Sequence, residues 1–415
     1  MKNALLLSLT LLSGMAFSAP RPIPENEIIT PLLQGSKEMS SLREIERAGL
    51  LEASTGLDLW SGHYWPHFQG SVAVRYRDPS FMELMKKKAQ WDKFKELSIK
   101  APLYTYGGKE NLLSPAEKYD LLVGDRSMSL TKYSWELGEK AAKAGKVPTW
   151  RGICDGWSSA AQMMPRPNKS VTLKSPEGTP LTFYPEDIKA LGSLLYSRAQ
   201  DNVIFLGKRC YSAVVGVFTG ACEGTNPGAF TKALINRVGV MKKTFVADAS
   251  TSSEVWNYPV KSYKLTYYNV FNDEESKKFE DVMELFTKEA RFTKRNRRSE
   301  KTYAIVGVKA EVTYANMREA HLLNIDGIEQ DKDLVKNYFF DLELDRNMNI
   351  LGGEWATNVA PDFIWAPNDL TYPLSDAELE GTPTSPEEML KAAQFSSKRG
   401  QPLAVVVEKL FTLSK

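Results

Sequence analysis

The chain has 415 residues, of which 42% are hydrophobic and 25% charged, and its formal net charge is +2. This composition supports two or three folded domains and excludes a globally disordered protein. Because the net charge is close to zero, it does not favour nucleic acid or an anionic lipid surface as a partner.

The first 18 residues have the pattern of a signal peptide. Lys2 gives the charged start, residues 4–12 form an apolar run, and small residues, Ala16 and Ser18, precede the predicted cleavage point. The apolar run is much shorter than the roughly 20 residues needed to span a bilayer. We therefore predict an exported protein, periplasmic or secreted, with no integral membrane segment once the signal is removed.

Three cysteines in an exported chain leave one unpaired. Cys210 and Cys222 flank a short loop, and a disulfide between them would stabilise the fold by roughly 3 kcal/mol in the chain-entropy model. This pairing leaves Cys154 as the free thiol. A free thiol in an oxidising compartment is a hazard unless it is buried or used.

The first half of the mature chain is predicted to be mainly helical. Ser114 and Glu117 form a capping box around Pro115, which predicts a helix that continues to about Gly124. Apolar residues recur at helical spacing after Cys154, up to Met164. The predicted helices in this half cover residues 37–53, 114–124, 130–144, 154–164 and 186–199.

The second half is predicted to be mainly strands, because the apolar period changes to two. One helix interrupts them, since residues 279, 282, 283, 286 and 290 lie on one helical face. The predicted strands cover residues 230–238, 244–248, 260–268, 303–314, 338–344 and 350–357, the helix covers residues 272–290, and a last amphipathic stretch lies near residue 392.

Cys154 is the candidate nucleophile. It lies at the start of a predicted buried helix, where backbone N–H groups and the helix dipole lower a thiol pKa and can stabilise an oxyanion. The alternative is a buried core cysteine on the same face as Trp157. Asp248 stands at the end of a predicted strand, where an aspartate can be a turn residue that caps the strand.

Three segments resemble those of the transglutaminase elicitor family of oomycetes and some bacteria. They run from Arg151 to Trp157, which reads RGICDGW, from Asn226 to Thr231, which reads NPGAFT and continues to Asp248, and from Val255 to Lys264, which reads VWNYPVKSYK. The resemblance implies an α+β fold, with an N-terminal cap region at residues 19–100, a papain-like core at residues 101–269, and a helix plus a β-rich domain at residues 270–415.

The resemblance also implies a reaction. Cys154 would attack a glutamine side chain of a protein substrate, expel ammonia and pass the acyl group to a lysine amine, with Asp248 orienting the base. Trp256 and Pro259 would either wall an acyl-acceptor channel or pack the edge of the core. The implied partners are protein substrates, a glutamine donor and a lysine acceptor.

The chain departs from the family pattern at the expected base. The family segment reads NPGxFH, whereas Thr231 stands here in the place of the histidine. A threonine hydroxyl is not a base near neutral pH, and only His63, His67 and His321 remain to replace it. Two alternatives therefore stand beside the transglutaminase prediction: an inactive homologue that acts as a binding or structural protein, and a slow cysteine hydrolase or deamidase.

Two further positions bear on chemistry. Asp155 follows the nucleophile where the family often has histidine, and its carboxylate would raise the thiol pKa unless it points away. The family resemblance implies calcium dependence, but the segment that begins at Asp345 lacks the glycine and the carboxylate of a calcium loop, with Ile350 and Ala356 in their places. We predict a hairpin turn there, and no cofactor is evident from the sequence.

Overall fold

The computed structural model combines helices with an antiparallel sheet, in agreement with the predicted α+β class. The described residues are 21–85, 95–96, 99–100, 108–142, 148–199, 203–210, 224–286, 298–368, 373, 375–379, 381 and 383–415. The predicted signal peptide, residues 1–18, lies outside them. Among the described helices, none is both long enough and apolar enough to cross a bilayer.

The strands are β1 Arg21–Pro22, β2 Glu52–Ser54, β3 Val171–Lys174, β4 Pro180–Phe183, β5 Val203–Gly207, β6 Val246–Asp248, β7 Asn257–Tyr268, β8 Glu275–Ser276, β9 Glu284–Leu285, β10 Ala304–Asn316, β11 Lys332–Leu344, β12 Ile350–Trp355 and β13 Phe363–Pro367. In the described part of the chain, eleven of them form one sheet. Eight follow the order β1-β12-β11-β10-β7-β6-β13-β5, β2 and β8 pair with β7, and β9 pairs with β10. β3 and β4 form a separate hairpin.

The helices pack beside this sheet and on one another. The α-helices are α1 Leu42–Arg47, α2 Pro79–Met85, α3 Pro115–Leu122, α4 Ser129–Ala142, α5 Cys154–Met163, α6 Pro185–Arg198, α7 Pro227–Ala233, α8 Phe279–Val282, α9 Asp376–Leu379, α10 Pro386–Lys398 and α11 Ala404–Leu413. A π-helix, Leu234–Val240, continues α7. Short 3-10 turns cover Glu25–Glu27, Thr30–Leu33, His67–Gln69, Ser71–Ala73, Glu110–Leu112 and Ile328–Gln330.

Among the described residues, the buried hydrophobic side chains form two large cores and a small third cluster of Val246, Phe363 and Trp365. In the sheet core, alternate residues of β10 such as Val306, Val308 and Val312 are fully buried, as expected for a strand with one face inward. In the helical core, Trp157 and Ala160 of α5 pack among residues of the neighbouring helices. The helical spacing after Cys154 therefore predicted the buried face of α5 correctly.

Several predicted elements are confirmed. The capping box is present, since the Glu117 N–H donates to Ser114 Oγ and the Ser114 N–H donates to Glu117 Oε2. The helices predicted at residues 114–124, 130–144, 154–164 and 186–199 correspond to α3, α4, α5 and α6. The strands predicted at residues 244–248, 260–268, 303–314, 338–344 and 350–357 correspond to β6, β7, β10, β11 and β12.

Three predicted elements are wrong in whole or in part. The helix predicted at residues 37–53 is reduced to α1, Leu42–Arg47, and the strand β2 begins at Glu52. Residues 230–238 are helical and not a strand, because Asn226 Oδ1 accepts a hydrogen bond from the Gly228 N–H and Pro227 occupies the first helical turn. Residues 272–290 do not form one helix: their described part, up to residue 286, contains β8, the one-turn helix α8 and β9. The pairing of β8 with β7 and of β9 with β10 replaces the predicted helix.

The sheet extends across the predicted boundary between residues 269 and 270. β7, which ends at Tyr268, pairs with β10 from Gly307 to Tyr314. β13 in turn pairs with β6, which brings Trp365 beside Val246. Strands from both sides of the boundary thus meet in one sheet, next to α5.

Candidate active site

Cys154 is the first residue of α5 and its side chain is buried, with 6% exposure. The residue before it is fixed from a distant part of the chain, because the Ile153 N–H donates to the Tyr64 carbonyl at 2.8 Å. The predicted position of the thiol at a buried helix N-terminus is therefore what the structure shows.

The glycines on both sides of Cys154 have a steric reason. A Cβ at Gly152 would lie 2.3 Å from the Tyr64 carbonyl oxygen, and a Cβ at Gly156 would lie 1.9 Å from the Ser193 carbonyl oxygen. Neither separation is tolerable for two nonbonded atoms. The glycines let the backbone around the thiol pack directly on the aromatic N-terminal segment and on α6.

The Asn257 side-chain amide contacts the thiol. Asn257 Nδ2 lies 3.3 Å from Cys154 Sγ, and the indole Nε1 of Trp365 donates to Asn257 Oδ1 at 2.8 Å. Because an indole N–H can only donate, this bond fixes which end of the amide faces the sulfur. Asn257 therefore presents a hydrogen-bond donor to Cys154.

The pKa of Cys154 is raised to about 11, contrary to the lowering expected at a helix N-terminus. Burial is the largest cause and the carboxylate of Asp155 is the next, as its position beside the thiol predicted. The backbone and side-chain N–H groups of Asn257 act in the opposite direction. Cys154 is consequently a thiol, not a thiolate, near neutral pH.

Asp248 lies at the end of β6 and is fully buried. Its Oδ1 accepts the Trp256 N–H at 3.2 Å, whereas its Oδ2 has no hydrogen-bond partner in the described part of the chain. Burial, with a contribution from the neighbouring Asp362, raises the pKa of Asp248 to about 8. Its charge contributes to raising the pKa of Cys154, so the two predicted site residues lie within electrostatic reach of each other.

A cavity of about 560 Å³ opens beside the thiol. Cys154, Asp155, Val255 and Asn257 line it, together with aromatic and basic side chains. Trp256 and Pro259, the two residues predicted to wall a channel, are not among its lining residues. Trp256 instead packs edge-on against Tyr64, with ring centroids 5.4 Å apart.

Of the three histidines, His67 is the one that lines this cavity. Its Nε2 is buried without a hydrogen-bond partner among the described residues, and burial followed by the charge of Arg151 lowers the pKa of His67 to about 4. His63 bonds the Arg318 carbonyl through Nδ1, and His321 contacts Asp326 through Nε2, so both are engaged elsewhere.

Thr231, the position expected to hold the catalytic base, lies in α7 and is completely buried. The adjacent Phe230 belongs to the sheet core, whereas Trp157 of the Cys154 helix belongs to the helical core. Thr231 is not among the residues that line the cavity.

The donor groups of Glu186, His321 and Asp326 lie close enough together to suggest a metal site. However, Lys189 Nζ contacts Asp326 Oδ2 at 2.6 Å, and Arg318 Nη2 contacts Glu186 Oε1 at 2.8 Å. The two carboxylates are already balanced by two cationic side chains, so calcium does not fit this cluster.

The Asp345 segment is the predicted turn between β11 and β12. Asp345 Oδ1 accepts the N–H groups of Asn347 and Asn349 at 2.8 Å. These hydrogen bonds from the backbone to the Asp345 carboxylate stabilise the turn.

The predicted disulfide between Cys210 and Cys222 remains a prediction, because Cys210 is described and buried but Cys222 lies outside the described residues.

The fold and site together define a mixed helix-and-sheet protein with a buried thiol at a helix N-terminus, facing a cavity. The family model for the transglutaminase elicitor matches residues 39–373, and the chain belongs to this family. The crystal structure of the GP42 transglutaminase from Phytophthora sojae is similar, with a TM-score of 0.61 and 21% sequence identity, covering 95% of this chain and 99% of that chain. No curated protein matches the chain.

Proposed function

We propose that this protein is an exported, slow transglutaminase that transfers the acyl group of a protein glutamine to a lysine amine. The observation that carries the proposal is the placement of Cys154 Sγ at the N-terminus of α5, at a cavity of about 560 Å³ and 3.3 Å from the Asn257 amide nitrogen. The papain-like core at residues 101–269, with its N-terminal cap and C-terminal domain, belongs to the same proposal.

In the first step the sulfur of Cys154 bonds to the glutamine carbonyl carbon, the carbon–nitrogen bond breaks, and the thiol proton passes to the leaving nitrogen, which departs as ammonia. In the second step a lysine amine attacks the thioester, an isopeptide bond forms, the carbon–sulfur bond breaks, and a proton from the amine restores the thiol. The carbonyl oxygen carries negative charge in both steps. The backbone N–H groups of Cys154 and Asp155 and the Asn257 Nδ2 are the proposed donors to this oxygen.

His67 is the proposed proton acceptor, because it lines the cavity and its Nε2 is unengaged. Its lowered pKa keeps it neutral at pH 7 but makes it a weak base. Asp248 acts as a positioning residue: through its bond to the Trp256 N–H it holds the segment that carries Asn257.

Slow turnover follows from the raised pKa of the Cys154 thiol. With a pKa of about 11, on the order of one Cys154 in 10⁴ is a thiolate at pH 7. The same observation favours a second candidate, an inactive homologue whose cavity binds a partner without turnover. If water replaces the amine in the second step, the protein is a deamidase.

The experiment is the incorporation of a fluorescent primary amine into a glutamine-bearing protein, with and without calcium, from about pH 6 to pH 10. We expect incorporation by the wild type that rises with pH and is absent in Cys154→Ser and strongly reduced in His67→Gln. Ammonia release without incorporation would identify a deamidase. Neither product, under any condition, would reject catalysis and leave the binding protein.

A further inference from the structure

We propose that the acyl donor of this site is an acidic peptide segment, in which carboxylate side chains flank the reacting glutamine. This inference rests on the proposed function and specifies the substrate that the cavity accepts. It comes from the charges around the cavity, which are strongly one-sided although the whole chain has a formal net charge of only +2.

Three cationic side chains converge on the cavity from three different elements. Lys140 comes from the last turn of α4, Arg151 from the segment before α5, and Arg198 from the end of α6. All three are exposed, and none forms an ion pair within the described ranges. They are therefore available to an incoming anion.

Aromatic rings hold these cations without neutralising them. Lys140 Nζ lies 5.4 Å and the Arg198 guanidinium 5.3 Å from the ring centroid of Tyr133, and the Arg151 guanidinium lies 6.0 Å from that of Trp150. A cation placed over a ring keeps its full charge while its side chain loses freedom. The three groups are thus partly preorganised for a carboxylate ligand.

Little negative charge opposes them. Among the described lining residues, Asp155 is the single carboxylate that faces these three cations, which gives the four side chains a net charge of +2; a fourth cation, Arg209, already interacts with the carboxylates of Asp248 and Asp362. Asp155 Oδ2 also accepts the Ser197 hydroxyl at 3.0 Å, so part of its hydrogen-bonding capacity is used within the protein. His67 adds no charge near neutral pH, because its pKa is lowered to about 4.

The remaining walls are largely aromatic, from Trp150, Phe205, Phe363 and Trp365. Such walls suit the aliphatic stem of a glutamine, while the rim cations suit carboxylates beside it. A sulfated polysaccharide would match the charges as well. A peptide is the better occupant because it offers a carboxamide to Cys154, which a sulfate group does not.

The test measures equilibrium binding to the full mature chain carrying Cys154→Ala, so that no turnover is required. Three fluorescent nine-residue peptides share a central glutamine and differ only in flanking residues, which are glutamate, serine or lysine. At about 50 mM salt we expect the glutamate peptide to bind about tenfold more tightly than the serine peptide, and the lysine peptide most weakly. At about 300 mM salt this preference should largely disappear.

Two triple variants test whether the cavity cations cause the preference for the glutamate peptide. The cavity variant combines Lys140→Gln, Arg151→Gln and Arg198→Gln, and it should abolish the preference for the glutamate peptide. The control variant combines Lys174→Gln, Lys398→Gln and Lys409→Gln. It removes the same charge from exposed positions outside the cavity and should keep the preference. Circular dichroism checks that both variants fold. Equal affinity for the three peptides, or an equal loss in both variants, would overturn the inference.

Three further outcomes distinguish the remaining explanations. If a sulfated oligosaccharide binds more tightly than the glutamate peptide and loses affinity in the cavity variant, the peptide assignment is wrong. If the peptide preference stands but the wild type incorporates no amine, the proposed enzyme fails while the ligand class survives. If amine is incorporated equally into acidic and basic donors, this inference fails and the enzyme stands.

Discussion

Two buried aspartates in this protein have opposite environments. Asp326 lies among Lys189, Arg318 and His321, and their hydrogen bonds and charges outweigh the effect of burial, so that the pKa of Asp326 is lowered to about 2. Asp248 is also buried, but one of its oxygens has no partner in the described structure, and its pKa is raised to about 8.

The difference separates a structural cluster from a candidate active site. Around Asp326, cations compensate the buried charges and link α6 to the segment before β11. Around Cys154, hydrogen bonds offset burial only in part, and the pKa values of Cys154, Asp248 and Asp362 are all raised; of these three, Cys154 lines the cavity. Buried groups with uncompensated pKa shifts beside a cavity are typical of functional sites. Substitutions in the cluster around Asp326 and in the cluster around Cys154 should therefore have different effects on stability and activity.

The largest effect is expected from Lys189→Met, which removes the cation between Asp326 and Glu186. Because two buried carboxylates then share fewer positive charges, the free energy of unfolding should fall by about 3 to 5 kcal/mol. Chemical denaturation at pH 7 measures it. Lys391→Met, which breaks an exposed ion pair with Glu387, should change stability by less than about 1 kcal/mol. Equal losses of unfolding free energy in Lys189→Met and Lys391→Met would contradict the distinction between the buried cluster and an exposed ion pair.

Asn257→Leu should affect activity more than stability. It removes the donor to Cys154 and should lower the rate of amine incorporation by about 10² to 10³, as loss of an oxyanion donor does. The unfolding free energy should fall less than in Lys189→Met, since the groups that lose a partner, the Trp365 N–H and the Cys154 thiol, are uncharged. Asn347→Leu, in an exposed turn, is the matched control. An unchanged rate in Asn257→Leu would remove Asn257 from the proposed mechanism.

The two aspartates should give opposite dependences of stability on pH. Asp248 keeps its proton in the folded state up to about pH 8, whereas the unfolded chain releases it near pH 4, so its contribution to stability falls as the pH rises between these values. Asp326 stabilises the fold above about pH 4, and this contribution is lost as the pH falls toward 2.

Denaturation as a function of pH tests this pair. Relative to the wild type, Asp248→Asn should become progressively more stable as the pH rises from about 4 to about 8, and Asp326→Asn should become less stable, by on the order of 2 kcal/mol, as the pH rises from about 2 to about 4. Parallel curves for wild type and variant in either window would show that the corresponding aspartate is not shifted in the stated direction.

The smallest effect is expected from Asp155→Asn. Its carboxylate is the largest electrostatic cause of the raised pKa of Cys154, so its removal should speed alkylation of the thiol by iodoacetamide about threefold to tenfold near pH 8. Asp273→Asn, on an exposed turn, should leave the rate unchanged. A slower reaction in Asp155→Asn would mean that this side chain activates the thiol.

The sequence predicted much of the site but not its chemistry. The helical spacing after Cys154 and the strand that ends at Asp248 were both recognisable, because periodicity is local. Asn257 was missed, since its role depends on Trp365, which lies 108 positions further along the chain. For the thiol pKa, the sequence indicates the raising effect of the adjacent Asp155, but not the larger effect of burial by distant segments, which outweighs the helix N-terminus.

The error at residues 230–238 could have been avoided. Asn226 followed by Pro227 is a common helix start, with the asparagine as cap and the proline in the first turn. The alternation of apolar residues after Phe230 favours a strand, but this helix start outweighs it, and Thr231 lies inside a helix.

The link between Cys154, Asn257 and Trp365 also sets when the site can form. The sulfur and the amide are separated by 103 positions, and the indole comes from a strand near the end of the chain. Contacts of such long range form late, after the loops between them have closed. A chain that has not finished folding therefore carries an ordinary exposed cysteine, and the proposed chemistry begins only when folding is complete.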